Sequence, residues 1–386
     1  MRKGWEYKKL GEIAIFINGD RGKNYPSVNE FVDDGIPFIN AGHLCAGTID
    51  FSKMNYITRQ KYDVLGSGKI QKGDILFCLR GSLGKYAIVE DDVIGAIASS
   101  LVIIRVSKDI NNKYIAYFLA STKVKDLIGR DNNGSSQPNL SAKSVASFGI
   151  SLPPINIQAQ IVSELDKINE LIRLKKEQLV EYDNLAQSIF YEMFGDPVEN
   201  EKGWEVKKLS EVCTLSQGLA INKQTKHYIV EKSTIPLLRI KDMKEGTREI
   251  FIDDNDYPQN CLATPEEIIY TRTGTLGLAF TGMYGIVHNN CFKIKVDYNS
   301  LDKKFFMFYI SGTWFKNKIV NLASRSSQPD ITHKLFLDQF ILSPPLPLQQ
   351  SFASRIEQIE KLKSEVQNAI TDLETLLASR MQYWFE

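Results

Sequence analysis

Apolar and polar positions along this chain fall into two textures. In residues 1–152 and 201–343, apolar runs of four to eight are broken by Gly, Asp or Asn, and aromatic and β-branched residues are frequent. That pattern predicts short strands with a few helices, the helices expected over residues 113–128 and again over 303–320. The most apolar stretch, 93–106, contains Ser99, Ser100 and Arg105 and is too short to span a bilayer. It predicts a buried strand or pair of strands. After Pro153-Pro154 and again after Pro344-Pro345 the texture changes, with Gly and Pro almost absent until Gly195 and wholly absent beyond Pro347. Each of these segments should form one long helix.

The long segments carry a finer signal. Ile161, Leu165, Ile168, Ile172, Lys175, Leu179, Tyr182, Ala186, Ile189 and Met193 are spaced alternately by four and three, and all but Lys175 are apolar. Phe352, Ile356, Ile359, Lys363, Val366, Ile370, Leu373, Leu377, Arg380 and Trp384 keep the same spacing, with Lys363 and Arg380 as exceptions. A 3.5-residue repeat sustained over more than four heptads predicts a coiled coil rather than a helix lying on a globular core. Two such helices in one chain most simply pack against each other.

The textures recur because the chain is a repeat. Gly4-Trp5-Glu6-Tyr7-Lys8-Lys9-Leu10 returns as Gly203-Trp204-Glu205-Val206-Lys207-Lys208-Leu209, and Ile36-Pro37-Phe38 as Ile235-Pro236-Leu237. The run from Ile75 to Gly84 matches that from Ile268 to Gly277, Ser135-Ser136-Gln137-Pro138-Asn139 matches Ser326-Ser327-Gln328-Pro329-Asp330, and the double prolines match. The offset drifts from 199 through 193 to 191, which puts the length changes in loops. One ancestral unit is used twice. The expected class is α+β: two similar mixed α/β domains, 1–152 and 201–343, alternating with helical regions 153–200 and 344–386.

Composition narrows the chemistry. With 386 residues, 47 Lys and Arg against 46 Asp and Glu, and 43% apolar residues, this is a folded protein and not a disordered one. The near-neutral charge excludes attachment to nucleic acid by bulk positive field but not by a local basic cleft. Five cysteines, widely spaced and without a C-x-x-C pair, argue against structural zinc and a disulfide framework. Met-Arg-Lys-Gly-Trp lacks the apolar core of a signal peptide, so a cytoplasmic protein without membrane attachment is expected.

Catalytic look-alikes fail against the repeat. Ser343-Pro344-Pro345-Leu346 resembles a methyltransferase loop, but the stacking aromatic is Leu and the other copy reads Leu152-Pro153-Pro154-Ile155. Pro329-Asp330 with Asp338 suggests a nuclease, yet position 340 is Phe and the first copy has Asn139. Gly66-Ser67-Gly68-Lys69 is a turn rather than a phosphate loop. The four histidines lie far apart and none recurs.

Binding chemistry is more evident. Gly19-Asp20-Arg21-Gly22-Lys23-Asn24-Tyr25 and Ile221-Asn222-Lys223-Gln224-Thr225-Lys226-His227 mix cations with amides at corresponding places. Arg and Lys suit phosphates or guanine edges, and Asn and Gln suit adenine. The loop with Arg130, Asn132 and Asn133, its counterpart with Arg325, the segment Arg239-Ile240-Lys241, and Arg80, Lys85 and Arg272 near the Gly turns share that character. The frame residues agree between copies whereas the polar loops differ, as two modules reading two different sequences would. A bivalent scaffold for protein or RNA is the alternative reading, although no aromatic cluster for stacking bases recurs in both copies.

In the order of these motifs the whole chain resembles the DNA specificity subunit of a Type I restriction-modification system. Its carriers are the paired Gly-Trp…Lys-Lys-Leu openings, Gly73-Asp74-Ile75-Leu76 with Arg80-Gly81 beyond, the Ser-Ser-Gln-Pro segments, and the double prolines followed by Gln158 or Gln349 and a heptad helix. The resemblance implies two target-recognition domains, each reading half of a split, asymmetric target in double-stranded DNA. It implies an antiparallel coiled coil with pseudo-twofold symmetry that sets the gap between the halves. It further implies a non-catalytic subunit without cofactors of its own. Two modification subunits would supply S-adenosylmethionine chemistry, and restriction subunits ATP- and Mg-dependent translocation and cleavage. Outside the heptad positions, Leu171, Leu185, Phe190 and Phe194 match Leu362, Leu376, Met381 and Phe385; they suit either docking of modification subunits or capping of the coil.

Overall fold

A computed structural model describes residues 2–45, 47–131, 139–324 and 329–386. Contacts divide the chain into two compact units, Met1–Glu177 with Gln367–Glu386, and Gln178–Val366.

In the first unit, strands Ala14–Asn18, Leu101–Val106, Ile75–Cys78 and Tyr86–Ile88 form an antiparallel four-stranded sheet in that order. All four residues of Ile75–Cys78 are buried. Phe77 and Ile104 belong to a core shared with the helices, Leu76 and Ile103 to a second core behind the sheet. A sheet covered on both faces needs continuous apolar runs rather than alternation, which is why 93–106 is so apolar. That stretch is a pair of strands, Ala96–Ile97 and Leu101–Val106. Ala96–Ile97 pairs parallel to Ile36–Ile39 in a second four-stranded sheet.

The second unit repeats the plan with Cys213–Gln217, Cys291–Val296, Ile268–Thr271 and Ala279–Phe280, and enlarges the second sheet to five strands. In each unit the segment after the opening Trp pairs antiparallel with the strand before the double proline, Glu6–Lys9 with Gly149–Leu152 and Val206–Lys208 with Phe340–Leu342.

The single helices expected over 113–128 and 303–320 are each two, Asn112–Ala120 and Thr122–Asp131, then Lys303–Ser311 and Thr313–Ala323. Ser121 causes the first break: its hydroxyl donates to the Phe118 carbonyl at 2.6 Å, a local bond that competes with the helix ladder. At the second break Gly312 lies so close to the Trp314 indole that a Cβ would fall 2.8 Å from its Nε1.

The long helices run Ile155–Phe194 and Leu346–Phe385, starting directly after the double prolines. In the first unit Ile161, Leu165, Ile168 and Ile172 are buried, and Leu377, Met381 and Trp384 pack on the core that holds Ile161 and Leu165. Ile370 is buried and Leu373 half-buried in the same unit. Glu164 accepts from Arg380 and Trp384, and Lys176 pairs with Glu374 at 2.8 Å, so the two segments run antiparallel. In the second unit Tyr182 and Ile189 pack with Phe352, Ile356 and Ile359, while Leu179 is half-buried and Val366 buried. Lys363 pairs with Asp183, and the Phe190 and Phe352 rings lie 5.7 Å apart, again antiparallel. The exceptions Lys363 and Arg380 are therefore paired cations rather than faults in the pattern. Of the residues off the heptad positions, Phe190, Phe194 and Phe385 are buried in their own units and cap the cores, whereas Leu171, Leu185, Leu362 and Leu376 are exposed.

Gln158 and Gln349 lock helix to domain. Gln158 Oε1 accepts from the Asn111 amide and its Nε2 donates to the Pro153 carbonyl; Gln349 does the same with Asp302 and Pro344. Both are buried, so all their polar atoms need such partners.

Candidate nucleic-acid interface

In each unit three segments meet at one end of the four-stranded sheet. The polar loop starts at Gly19 or Gly218, where a Cβ would fall 2.5 Å from the Ala98 carbonyl oxygen or 2.4 Å from that of His288. Only glycine allows the backbones to approach so closely. Beside it runs the turn Ser99-Ser100 or Asn289-Asn290. Beyond that lies the glycine turn, tied by Leu79 N–H to the Ser100 carbonyl at 2.8 Å and by Arg272 N–H to the Asn290 carbonyl at 2.9 Å. Gly81 and Gly84, then Gly274 and Gly277, all have φ between 74° and 81°, the left-handed region glycine supplies. Leu140 N–H donates to the Leu79 carbonyl and Ile331 N–H to that of Arg272, which brings in the segment leading to the short helices Ala142–Ala146 and His333–Leu337.

The candidate cations have different fates. In the first unit Arg21, Lys23, Arg80, Lys85 and Arg130 are exposed. Arg21 reaches the Ser99 carbonyl at 3.4 Å, and Arg80 Nε donates to Asn139 Oδ1 at 3.2 Å. Lys85 and Lys125 line one cavity with Leu83, Gly84 and Ile128. Asn24 is half-buried and donates to the Val64 carbonyl at 3.0 Å. Asn132, Asn133 and Arg325 lie outside the described residues.

In the second unit Lys223 and Lys226 are exposed, and Asn222 Oδ1 accepts from the backbone of Gln224 and Thr225, shaping the loop. Arg239 is held bidentately by Asp242, which is only 3% exposed, and bonds Glu249 at 2.7 Å. Lys241 bonds Glu249 at 2.9 Å. The hydrogen bonds from Lys241 and then Arg239 hold the Glu249 carboxyl below its usual range, so this cluster of two cations and two carboxylates carries no net charge. Arg272 forks onto Asp330 and donates to Gln217 Oε1 at 2.9 Å. Burial and then the Arg239 charge push the His288 imidazole pKa down; burial and Arg272 do the same to His333, against the opposing pull of Asp330.

Two further cations recur in both units, Lys125 with Lys316 and Lys143 with Lys334, all at the 191-residue offset. Gly84 packs on Ile128, one turn beyond Lys125, and Gly277 on Lys316 itself. A search for polar loops passes over these residues because they sit in helices. Their recurrence is the signal that finds them.

The arrangement offers neutral amides and fixed cations on rigid turns. Among the described residues, no three His, Cys, Asp or Glu side chains gather where they could hold a metal, and no helix is long and apolar enough to cross a membrane.

Residues 2–181 and 201–374 both match the Type I restriction modification DNA specificity domain. The chain belongs to this family. It is 23% identical to the Type I restriction enzyme MjaIX specificity subunit of Methanocaldococcus jannaschii, over 92% of this chain and 87% of that one. It is 22% identical to the EcoKI specificity subunit of Escherichia coli K12, over 98% and 87%. A chain solved in work on assembly and conformational transition of the type I R-M system superposes with a TM-score of 0.65 at 19% identity, covering 99% of this chain and 97% of that one. The type I system S subunit from M. genitalium gives 0.58 at 13%, covering 99% and 96%. The α+β fold with a repeated domain and two long helices is thus that of specificity subunits.

Proposed function

We propose that this chain is the non-catalytic DNA-reading subunit of a Type I restriction-modification enzyme. Residues 1–152 and 201–343 act as the two target-recognition domains and 153–200 and 344–386 as helical spacers. The observation that carries this reading is one frame with two contact sets. Glycine approach, serine or asparagine turn, glycine turn and short helix recur, while Arg21 and Lys23 in one unit give way to Lys223 and Lys226 in the other. A shared frame grips duplex backbone and the differing side chains read base edges.

The exposed members of the candidate set make the contacts. Those already in ion pairs, Arg239, Lys241 and Arg272, shape the loops. Exposed Leu171, Leu185, Leu362 and Leu376 present matched apolar points for docking two modification subunits, which bind S-adenosylmethionine; restriction subunits bring ATP and Mg. A 40-residue helix rises about 60 Å, enough to set the distance between two half-sites about one DNA turn apart.

The test is selection of bound duplexes from a random pool by the chain assembled with its modification subunits. Two short words at a fixed gap are expected. A single continuous word, or enrichment of single-stranded RNA in a parallel pool, would reject the reading.

A further inference from the structure

The arginines at the two glycine turns are not equivalent. Leu79 and Arg272 make the same pair of backbone bonds, to Ser100 and Leu140 in one unit and to Asn290 and Ile331 in the other. Arg272 therefore stands where the first unit has Leu79, and the counterpart of Arg80 is Thr273. Leu79 is 2% exposed and packs with Phe77 in the core. At the same place Arg272 cannot pack as a hydrophobe, and it is neutralised by Asp330, with Nε 2.8 Å from Oδ1. The residue at the Asp330 position in the first unit is neutral Asn139. Leucine with asparagine has become arginine with aspartate: an apolar contact exchanged for an internal ion pair.

Pulling Arg272 away to meet a phosphate would strand the partly buried Asp330 carboxylate, a penalty that opposes the contact. Arg80, by contrast, is exposed and is steadied by a neutral amide that leaves its full charge available. Among the described residues, no carboxylate pairs with Arg80, Lys85, Lys125 or Lys143.

We propose that the position shared by Arg80 and Thr273 is the DNA-backbone contact of the glycine turn, charged in one unit and neutral in the other. Arg272 with Asp330 is a positioning pair that replaces the core contact of Leu79. The inference rests on the DNA-reading function proposed above and refines it, since it makes the first unit grip phosphate more strongly at this turn than the second.

The experiment uses the full chain assembled with its modification subunits and measures binding to a random-sequence duplex across a salt titration. Each lost phosphate contact lowers the slope of log affinity against log salt by about 0.9. R80T should lower it by about that amount and T273R should raise it equally. The double variant R272L/D330N, which copies Leu79 and Asn139, should leave the slope where it was. R80K, which keeps the charge, should restore most of what R80T loses. A lowered slope in R272L/D330N, or an unchanged one in R80T, would overturn the inference while leaving duplex binding intact. A wild-type complex that binds no duplex would defeat the DNA-reading function and this refinement together.

Discussion

The two units close their helical cores with the same ring by different routes. In the second, Phe194 lies 4.9 Å from Phe305 and 5.3 Å from Phe352, and the chain then turns at Gly195 and returns within ten residues to Trp204, whose indole donates to the Phe194 carbonyl at 2.9 Å. In the first, Phe385 takes the corresponding place, 5.2 Å from Tyr114, but the matching Trp5 is far away in sequence. Side chains hold that closure instead. Trp5 stacks on Trp384 at 6.3 Å, and Arg2 lies over Trp5, Tyr383 and Trp384 at 4.1 to 4.9 Å while donating to the Tyr383 carbonyl. A short chain segment makes the second closure local, whereas the first gathers distant segments and bears a larger ordering cost. An identical core position can thus be secured by connectivity or by a cation on aromatic faces.

The shared ring should carry the largest effect. Phe385→Ala and Phe194→Ala should each cost about 3–5 kcal/mol, the usual penalty for emptying a buried Phe site. Hydrogen exchange should report the loss unit by unit. Phe385→Ala should deprotect strand Leu101–Val106 and spare Cys291–Val296, and Phe194→Ala should do the opposite. Equal loss in both strands from either variant would show that the units do not open separately.

The next effect isolates the asymmetry. Arg2→Ala should destabilise the first unit by about 1–2 kcal/mol, the range for a cation held over aromatic faces away from water. At the matching place the second unit has Glu201, so its exchange should not change. Arg2→Lys should recover only part of the loss, because an ammonium lacks the planar guanidinium that stacks on rings. Full recovery would reduce the role of Arg2 to its charge.

Much of this was legible in the sequence, because helix spacing and recurrence are local or self-comparing signals. The heptads gave the long helices, and their polar exceptions Lys363 and Arg380 proved to be paired across the seam. The repeat gave the architecture. What remained hidden depends on partners distant in sequence. Nothing near Arg272 announces that Asp330, 58 residues on, will neutralise it, and Phe190, Phe194 and Phe385 look like Leu171 and Leu185 until burial separates them. Ser121 breaks a helix by a side-chain bond that apolar periodicity does not register. The register of the glycine turn, which sets Arg272 against Leu79, is already present in the matched runs Ile75–Gly84 and Ile268–Gly277 and recurs in the backbone bonds, whereas the burial of Leu79 and the ion pair of Arg272 show only in the fold.

The smallest effect separates the units by pH. His288 and His333 both belong to the second unit, and burial joined by Arg239 or Arg272 depresses their pKa values. The unfolded chain then binds protons more readily than the folded one, so the stability these imidazoles contribute is fully present above about pH 6.5. It is lost as pH falls toward and through the depressed folded values. Exchange in Cys291–Val296 should accordingly quicken below that pH relative to Leu101–Val106, once the intrinsic pH dependence of exchange is removed. The double variant H288Q/H333Q should flatten the difference, since glutamine takes up no proton. A difference that persists in the double variant just below about pH 6.5 would show that these imidazoles are not its source, because the carboxylates Asp242 and Glu249, with depressed pKa values, lose their own contribution only at still lower pH.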